Sequence, residues 1–254
     1  MKGLPPFLRK ELRETLRTWR LFVLPGFVLF SALSAPIVTY LMPTLLDKLG
    51  AAQQGFTITV PDPSAAQSYA EYLGNLGELT LFALVIAYAG IVSGEVRSGT
   101  AALTLAKPLS RSAFVFSKWV SQALVLVVAT ALGTAVCIAL TQILLPGGPT
   151  GELVPAVLLW LVYAAMLLAV MVLLSVELRA PAAAAGTGIG VYAALVILAQ
   201  FDVTSRYTPA GLPAAGIDLV QGLPVVWVWP LVTAVVVAVA CLAVAVVRFS
   251  RREI

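Results

Sequence analysis

The sequence contains no histidine and only two cysteines, Cys137 and Cys241. The missing imidazole removes Ser-His-Asp and Cys-His nucleophile systems and His-ligated metal sites together, so most hydrolytic chemistry lacks its usual base. Charge is scarce too: 11% of residues are Asp, Glu, Lys or Arg, about half the share of a soluble domain. No Gly-Lys dipeptide occurs, so there is no G-x-x-x-x-G-K-[ST] loop to cradle a nucleotide's phosphates. Both cysteines fall within apolar runs, where a thiol acts as a small apolar side chain and not as a disulfide partner or metal ligand.

What remains is largely apolar. The 254 residues are 60% hydrophobic with a mean hydropathy of +0.98, which excludes an ordinary soluble domain and indicates a polytopic membrane protein. A spanning helix needs about 20 apolar residues to cross a hydrocarbon core about 30 Å thick. Six runs qualify: Leu21 to Leu46, Leu79 to Ser93, Phe114 to Leu145, Leu153 to Val176, Ala182 to Phe201 and Val225 to Val247. The second is short, roughly 22 Å of helix, and is expected to recruit the turn from Leu73 to Glu78. The third is long, roughly 48 Å, and is expected to project past the bilayer near Lys118 and Trp119.

Charge orients these spans. Lys2, Arg9, Lys10, Arg13, Arg17 and Arg20 precede the first. Arg97, Lys107, Arg111 and Lys118 lie between the second and third, Arg179 between the fourth and fifth, and Arg248, Arg251 and Arg252 after the sixth. Lys48 and Arg206 alone fall opposite. By the positive-inside rule both termini are cytoplasmic, and the even span count agrees. Because the basic residues hug span ends instead of forming a free patch, the net charge of +4 is a topological signal and no nucleic-acid partner is expected. The run Leu21 to Phe30 followed by SALSA has the look of a cleavable signal, but the apolar stretch continues to Leu46, so it is read as an uncleaved span.

The whole chain, 1–254, is thus one transmembrane domain: residues 1–20 a cytoplasmic interfacial helix, 21–247 the six-helix membrane region and 248–254 a cytoplasmic tail. In the first part Leu8, Leu12, Leu16 and Trp19 recur at helical spacing beside a row of Arg9, Arg13, Arg17 and Arg20, which suits a helix lying on an anionic membrane surface. The segment Thr44 to Gly77 is expected outside the membrane, with FTITV extended and Tyr69, Tyr72, Leu73 and Leu76 on one helical face. The segment Gln200 to Pro224 is expected to be loop or re-entrant. In the fifth span Ala182, Gly186, Gly190 and Ala194 recur every four residues, a spacing that lets another helix approach closely. No charge falls at a span centre; Glu78, Glu95, Glu152, Glu177 and Asp202 are all expected near span ends, which argues against an ion-coupled carrier.

One polar island interrupts this economy. Residues 93 to 119, SGEVRSGTAALTLAKPLSRSAFVFSKW, hold Glu95, Arg97, Lys107, Arg111 and Lys118. Ser98 to Lys107 has the pattern of a short helix ended by Pro108, and Ser110 is placed to cap a new helix at Arg111. Loop-end anchoring would account for the charges alone.

The order of residues goes further. Glu95 to Lys118 resembles the segment after the second span in permease subunits of type-2 ABC transporters: an acidic residue, a Gly-Thr pair, a leucine-rich turn, a proline, a Ser-Arg pair and a later lysine. The six spans and the amphipathic N-terminal helix extend the resemblance over essentially the whole chain. It implies an all-α membrane protein whose short cytoplasmic coupling helix docks on a separate ATP-binding subunit. Glu95 and Arg97 would lie at the end of the second span, Gly99 and Thr100 would open the coupling helix, and Leu103 and Leu105 would give its apolar contacts. Pro108, Ser110 and Arg111 would form its exit, with Lys118 at the inner membrane edge. Glu177 and Arg179, in the turn ending at Pro181, would make a second contact. The resemblance further implies export from a prokaryotic plasma (inner) membrane, a second permease copy or paralogue, no cofactor in this chain, and ATP with Mg on the partner. The alternatives are a self-powered carrier and an intramembrane enzyme using Glu78, Glu95 or Glu177.

Overall fold

The computed structural model describes residues 10, 11, 14, 18, 20–52, 62–100, 110–148 and 150–251. Six helical stretches within them are long and apolar enough to cross a membrane, and no strand occurs among the described residues. The all-α reading therefore stands. Helix α1 (Arg20–Ala52) is the first span, and Pro25, Pro36 and Pro43 lie within it. The second span is segmented into α2 (Ala65–Asn75), a π-helical turn (Leu76–Thr80), α3 (Leu81–Tyr88), a turn from Ala89 to Val92, and α4 (Ser93–Arg97). The third, fourth and fifth spans are α5 (Arg111–Leu144), α6 (Leu153–Glu177) and α7 (Pro181–Leu198). Two short helices, α8 (Asp202–Tyr207) and α9 (Leu212–Val220), precede the sixth span, α10 (Val228–Ser250).

Helix α6 is the axis of the bundle, touching α10, α9, α5, α7 and α3, while α1 packs on α5 and α2. Trp160 and Tyr163 of α6 and Tyr72 and Tyr88 of the second span are almost wholly buried. By contrast α7 and α10 bury little of their length and present exposed apolar faces. Those faces suit lipid or another apolar chain, not water.

The second span reaches much further than Leu79. Residues 65–75, expected outside the membrane, pack as α2 against α1, α5 and α9. Their hydroxyls depress the apparent hydropathy, yet most are satisfied inside the bundle: Ser68 pairs with Thr141 at 3.0 Å, Tyr72 with Thr134 at 3.1 Å, and Gln142 Nε2 donates to Tyr69 at 3.5 Å. Paired in this way they cost far less to bury than their side-chain types suggest. The expected apolar face of Tyr69, Tyr72, Leu73 and Leu76 is indeed buried. FTITV lies outside the described residues.

The extension corrects a second expectation. Glu78 does not sit at the end of the candidate span; it lies in the π-helical turn within Ala65–Arg97. Between the fifth and sixth spans the chain is mostly helical, and α9 lies against α6 and α2, so Gly216 would bring a Cβ within 3.3 Å of the Ala156 carbonyl.

Most of the N-terminal helix expected over residues 4–20 and residues 101–109 of the island, with Leu103, Leu105, Lys107 and Pro108, lie outside the described residues.

Candidate functional site at the basic end of the bundle

The island begins where the second span breaks. Four residues, Ala89 to Val92, leave the helical ladder as a turn, so the amides of Val92 and Ser93 need partners from outside that ladder. Ser175 of α6 supplies one: its Oγ accepts from the amides of both Val92 and Ser93 at 3.0 Å and lies 3.2 Å from Ser93 Oγ. Gly90 fits the break because a Cβ there would lie 3.2 Å from Pro181 Cβ. Helix α4 is thus tied both to the end of α6 and to the start of α7. It ends at Gly99, whose φ of +76° is the left-handed value that glycine adopts without strain. Ser98 Oγ and Thr100 Oγ1 both donate to the Glu95 carbonyl at 3.2 Å. Gly99 therefore closes the preceding helix, and Arg97 points out to solvent.

Across the island the expected cap is present. Ser110, with extended backbone angles, accepts from the Ala113 amide at 3.2 Å and starts α5. Arg111 crosses to the end of α10 and donates through Nη1 to the Phe249 and Ser250 carbonyls at 3.3 and 3.1 Å. Those carbonyls carry the negative end of the helix dipole, which a guanidinium complements. The Phe114 ring stacks on Phe249 with centroids 5.1 Å apart and planes 5° from parallel.

One turn further, Lys118 is 2% exposed and carries the charge cluster at the centre of this end. Its Nζ donates to Glu95 and reaches Glu11 Oε2 at 3.2 Å. It also lies 4.9 Å from the Phe114 ring centroid, within cation–π reach. Sequence reasoning assigned Glu95 and Lys118 separately, and the fold brings them together. Glu11 is one of two acidic residues, with Glu14, set among the basic row, and that break in sign is its only signal in the sequence. Burial pushes the Glu11 carboxyl above the usual glutamate range, and the neighbouring Glu95 adds to this against the pull of Lys118. Glu11, Glu14 and Glu95 lie close enough to form a carboxylate cluster, but lysine ammoniums already engage all three, with Lys10 on Glu14 at 3.1 Å.

The second contact expected from the sequence lies on the same end. Leu178 to Ala180 form a tight link before Pro181 starts α7. Glu177 Oε1 pairs with Arg248 Nε at 3.0 Å and Arg179 is exposed. The described part of the N-terminal segment, the break of the second span, the start of α5, the 177–181 turn and the end of α10 are therefore linked by side chains. This arrangement can pass a displacement between elements. Glu95 and Glu177 are each held in an ion pair, an arrangement unlike that of a free acid/base couple.

A family model described as "ABC-2 family transporter protein" matches residues 6–205. The chain is 23% identical over 211 residues to the uncharacterized transmembrane protein YxlG of Bacillus subtilis (strain 168), covering 83% of this chain and 82% of that protein. It is 30% identical over 200 residues to the probable ABC transporter permease protein NosY of Stutzerimonas stutzeri, covering 77% and 66%. With the protein of the same name from Pseudomonas aeruginosa it shares 34% identity over 126 residues, covering 49% and 40%. The chain thus spans less than two thirds of the length of these two permeases.

Proposed function

This chain belongs to the ABC-2 family of transporter proteins, and we propose that it is the permease of an ATP-driven exporter whose nucleotide chemistry resides on a separate subunit. The observation that carries this reading is the linkage at the basic end. Ser175 joins the break of the second span to the end of α6, and Lys118 joins Glu95 to Glu11. A subunit pressing on residues 98–107 and on the 177–181 turn would move elements already coupled to three spans. By the positive-inside rule this end faces the cytoplasm, where ATP is available.

The sequence lacks a phosphate loop, so ATP and Mg would be bound by the partner. A second permease copy or paralogue would complete the pathway, packed across α7. The stripe Ala182, Gly186, Gly190 and Ala194 is exposed along that helix, and a Cβ at either glycine would meet nothing within 4 Å. Helix backbones approach closely over such a face. The setting is a prokaryotic plasma membrane with both termini inside.

One observation favours a self-powered carrier instead, namely that Glu78 lies within a span. Purification from native membrane separates the two. A Walker-containing ATPase should co-purify, and its ATP turnover should change on assembly with this chain. Transport by the chain alone in sealed vesicles, without any ATPase, would overturn the proposal.

A further inference from the structure

At the end of the bundle away from the basic cluster, the π-helical turn of the second span borders a cavity of about 220 Å³. Its walls come from α2, the π turn, α6 and α7, and α9 contributes Pro213, Ala214 and Ile217 as a cover. At this turn the Tyr192 hydroxyl donates to the Gly77 carbonyl at 2.6 Å. A π turn displaces the local ladder and frees a carbonyl for such a partner. Gly74 and Gly77 line the space, and a Cβ at either would meet nothing within 4 Å. These glycines therefore leave room on the cavity side without serving a close helix contact.

The chemistry of the lining is lopsided. Among the described residues Glu78 is its only charged one; Gln200 and the phenols of Tyr163 and Tyr192 supply the other polar side-chain atoms, and the remaining side chains are aliphatic. No ion pair to Glu78 occurs among the described residues. Glu78 precedes Glu95 by 17 residues, with the turn from Ala89 to Val92 between them. The Glu78 side chain is exposed, at the rim of the cavity. A carboxylate at the mouth of an otherwise aliphatic space, beside two phenol rings, offers a cation a charge-assisted bond.

We infer that this cavity binds a small organic ammonium ion with an apolar body, the ammonium on Glu78 and against the Tyr163 and Tyr192 rings, the body among the aliphatic side chains. A carboxylate gives the charge-assisted bond and the aromatic faces add cation–π attraction. The volume falls below the roughly 300–1,000 Å³ of sites for drug-sized ligands, which selects small amines. This deepens the transport reading and rests on it only for the ligand's being cargo. Binding needs no ATPase, so the two ideas fail separately.

The test uses the purified full chain in lipid nanodiscs at pH 7, with equilibrium titration of phenethylammonium, neutral 3-phenylpropan-1-ol and phenylacetate. The wild type should bind the ammonium at least 10-fold more tightly than the alcohol, and the carboxylate most weakly. Glu78→Gln should erase that preference while leaving alcohol binding unchanged. Gly74→Leu, which directs a side chain into the open space, should weaken both. Equal binding of the ammonium and the alcohol by wild type overturns the inference without recourse to any variant. So does a preference that survives Glu78→Gln, or ammonium binding unaffected by Gly74→Leu.

Discussion

Lys118 Nζ lies 3.2 Å from Glu11 Oε2 although 107 residues separate them, and the same ammonium is bonded to Glu95. One buried cation thus fastens the described N-terminal segment to the end of the second span and the beginning of the third. Removing it leaves two carboxylates facing each other, one of them almost fully enclosed.

Lys118→Met should therefore destabilise the chain by about 3–5 kcal/mol, the cost of breaking a buried pair by deleting one partner. Adding Glu11→Gln should recover part of the loss because one uncompensated charge goes with it. Thermal unfolding of the purified single and double variants measures the coupling. Strictly additive losses would show that the two side chains act independently.

The Glu11 carboxyl is raised in the packed state, first by burial and then by Glu95. A raised acid takes its proton before the free segment does, so protonation favours packing. This contribution is complete below the ordinary glutamate value and is lost as pH rises through the raised one. Hydrogen exchange of the N-terminal segment should slow as pH falls from neutral toward that range, after correction for intrinsic exchange rates. In Glu11→Gln this pH dependence should vanish.

Ser175→Ala removes the acceptor for the Val92 and Ser93 amides. Leaving such groups unsatisfied costs about 1–3 kcal/mol. The loss should fall on α4: its amides should exchange faster while those of α6 remain protected. Unchanged protection of residues 93–97 would mean that the break is held by other contacts.

Gly133 and Gly190 should respond in opposite ways. A Cβ at Gly133 would overlap Val28 Cγ1, a stiff branched side chain, whereas one at Gly190 meets open space. Gly133→Ala should cost about 1–3 kcal/mol by overpacking. Gly190→Leu should leave the single chain's melting unchanged and reduce self-association, counted by single-molecule photobleaching. An unaltered dimer fraction would place the second copy on another face.

Much of this fold is legible in the sequence because hydropathy reports lipid burial directly. The ends of α6, the length of α5 and the Ser110 cap follow from local pattern, and so does the small-residue face of α7. The upper part of the second span does not. Ser68, Tyr69 and Tyr72 score as surface residues until Thr141, Gln142 and Thr134 are known to answer them. Glu78 was misplaced for the same reason, since its position depends on where that span begins. At the basic end, residue order marks Glu95, Arg111 and Lys118, while Glu11 and Ser175 act through partners 107 and 82–83 residues away. No spacing rule reaches that far.

Docking of an ATP-binding subunit on the island is tested most directly by affinity purification of the chain from detergent-solubilised native membrane, comparing wild type with Gly99→Asp and Leu103→Glu. An ATPase should follow the wild type and be lost from both variants, which remain folded and membrane-inserted. An ATPase that follows all three equally would remove the island from the docking surface, and the absence of any ATPase would contradict the permease assignment itself.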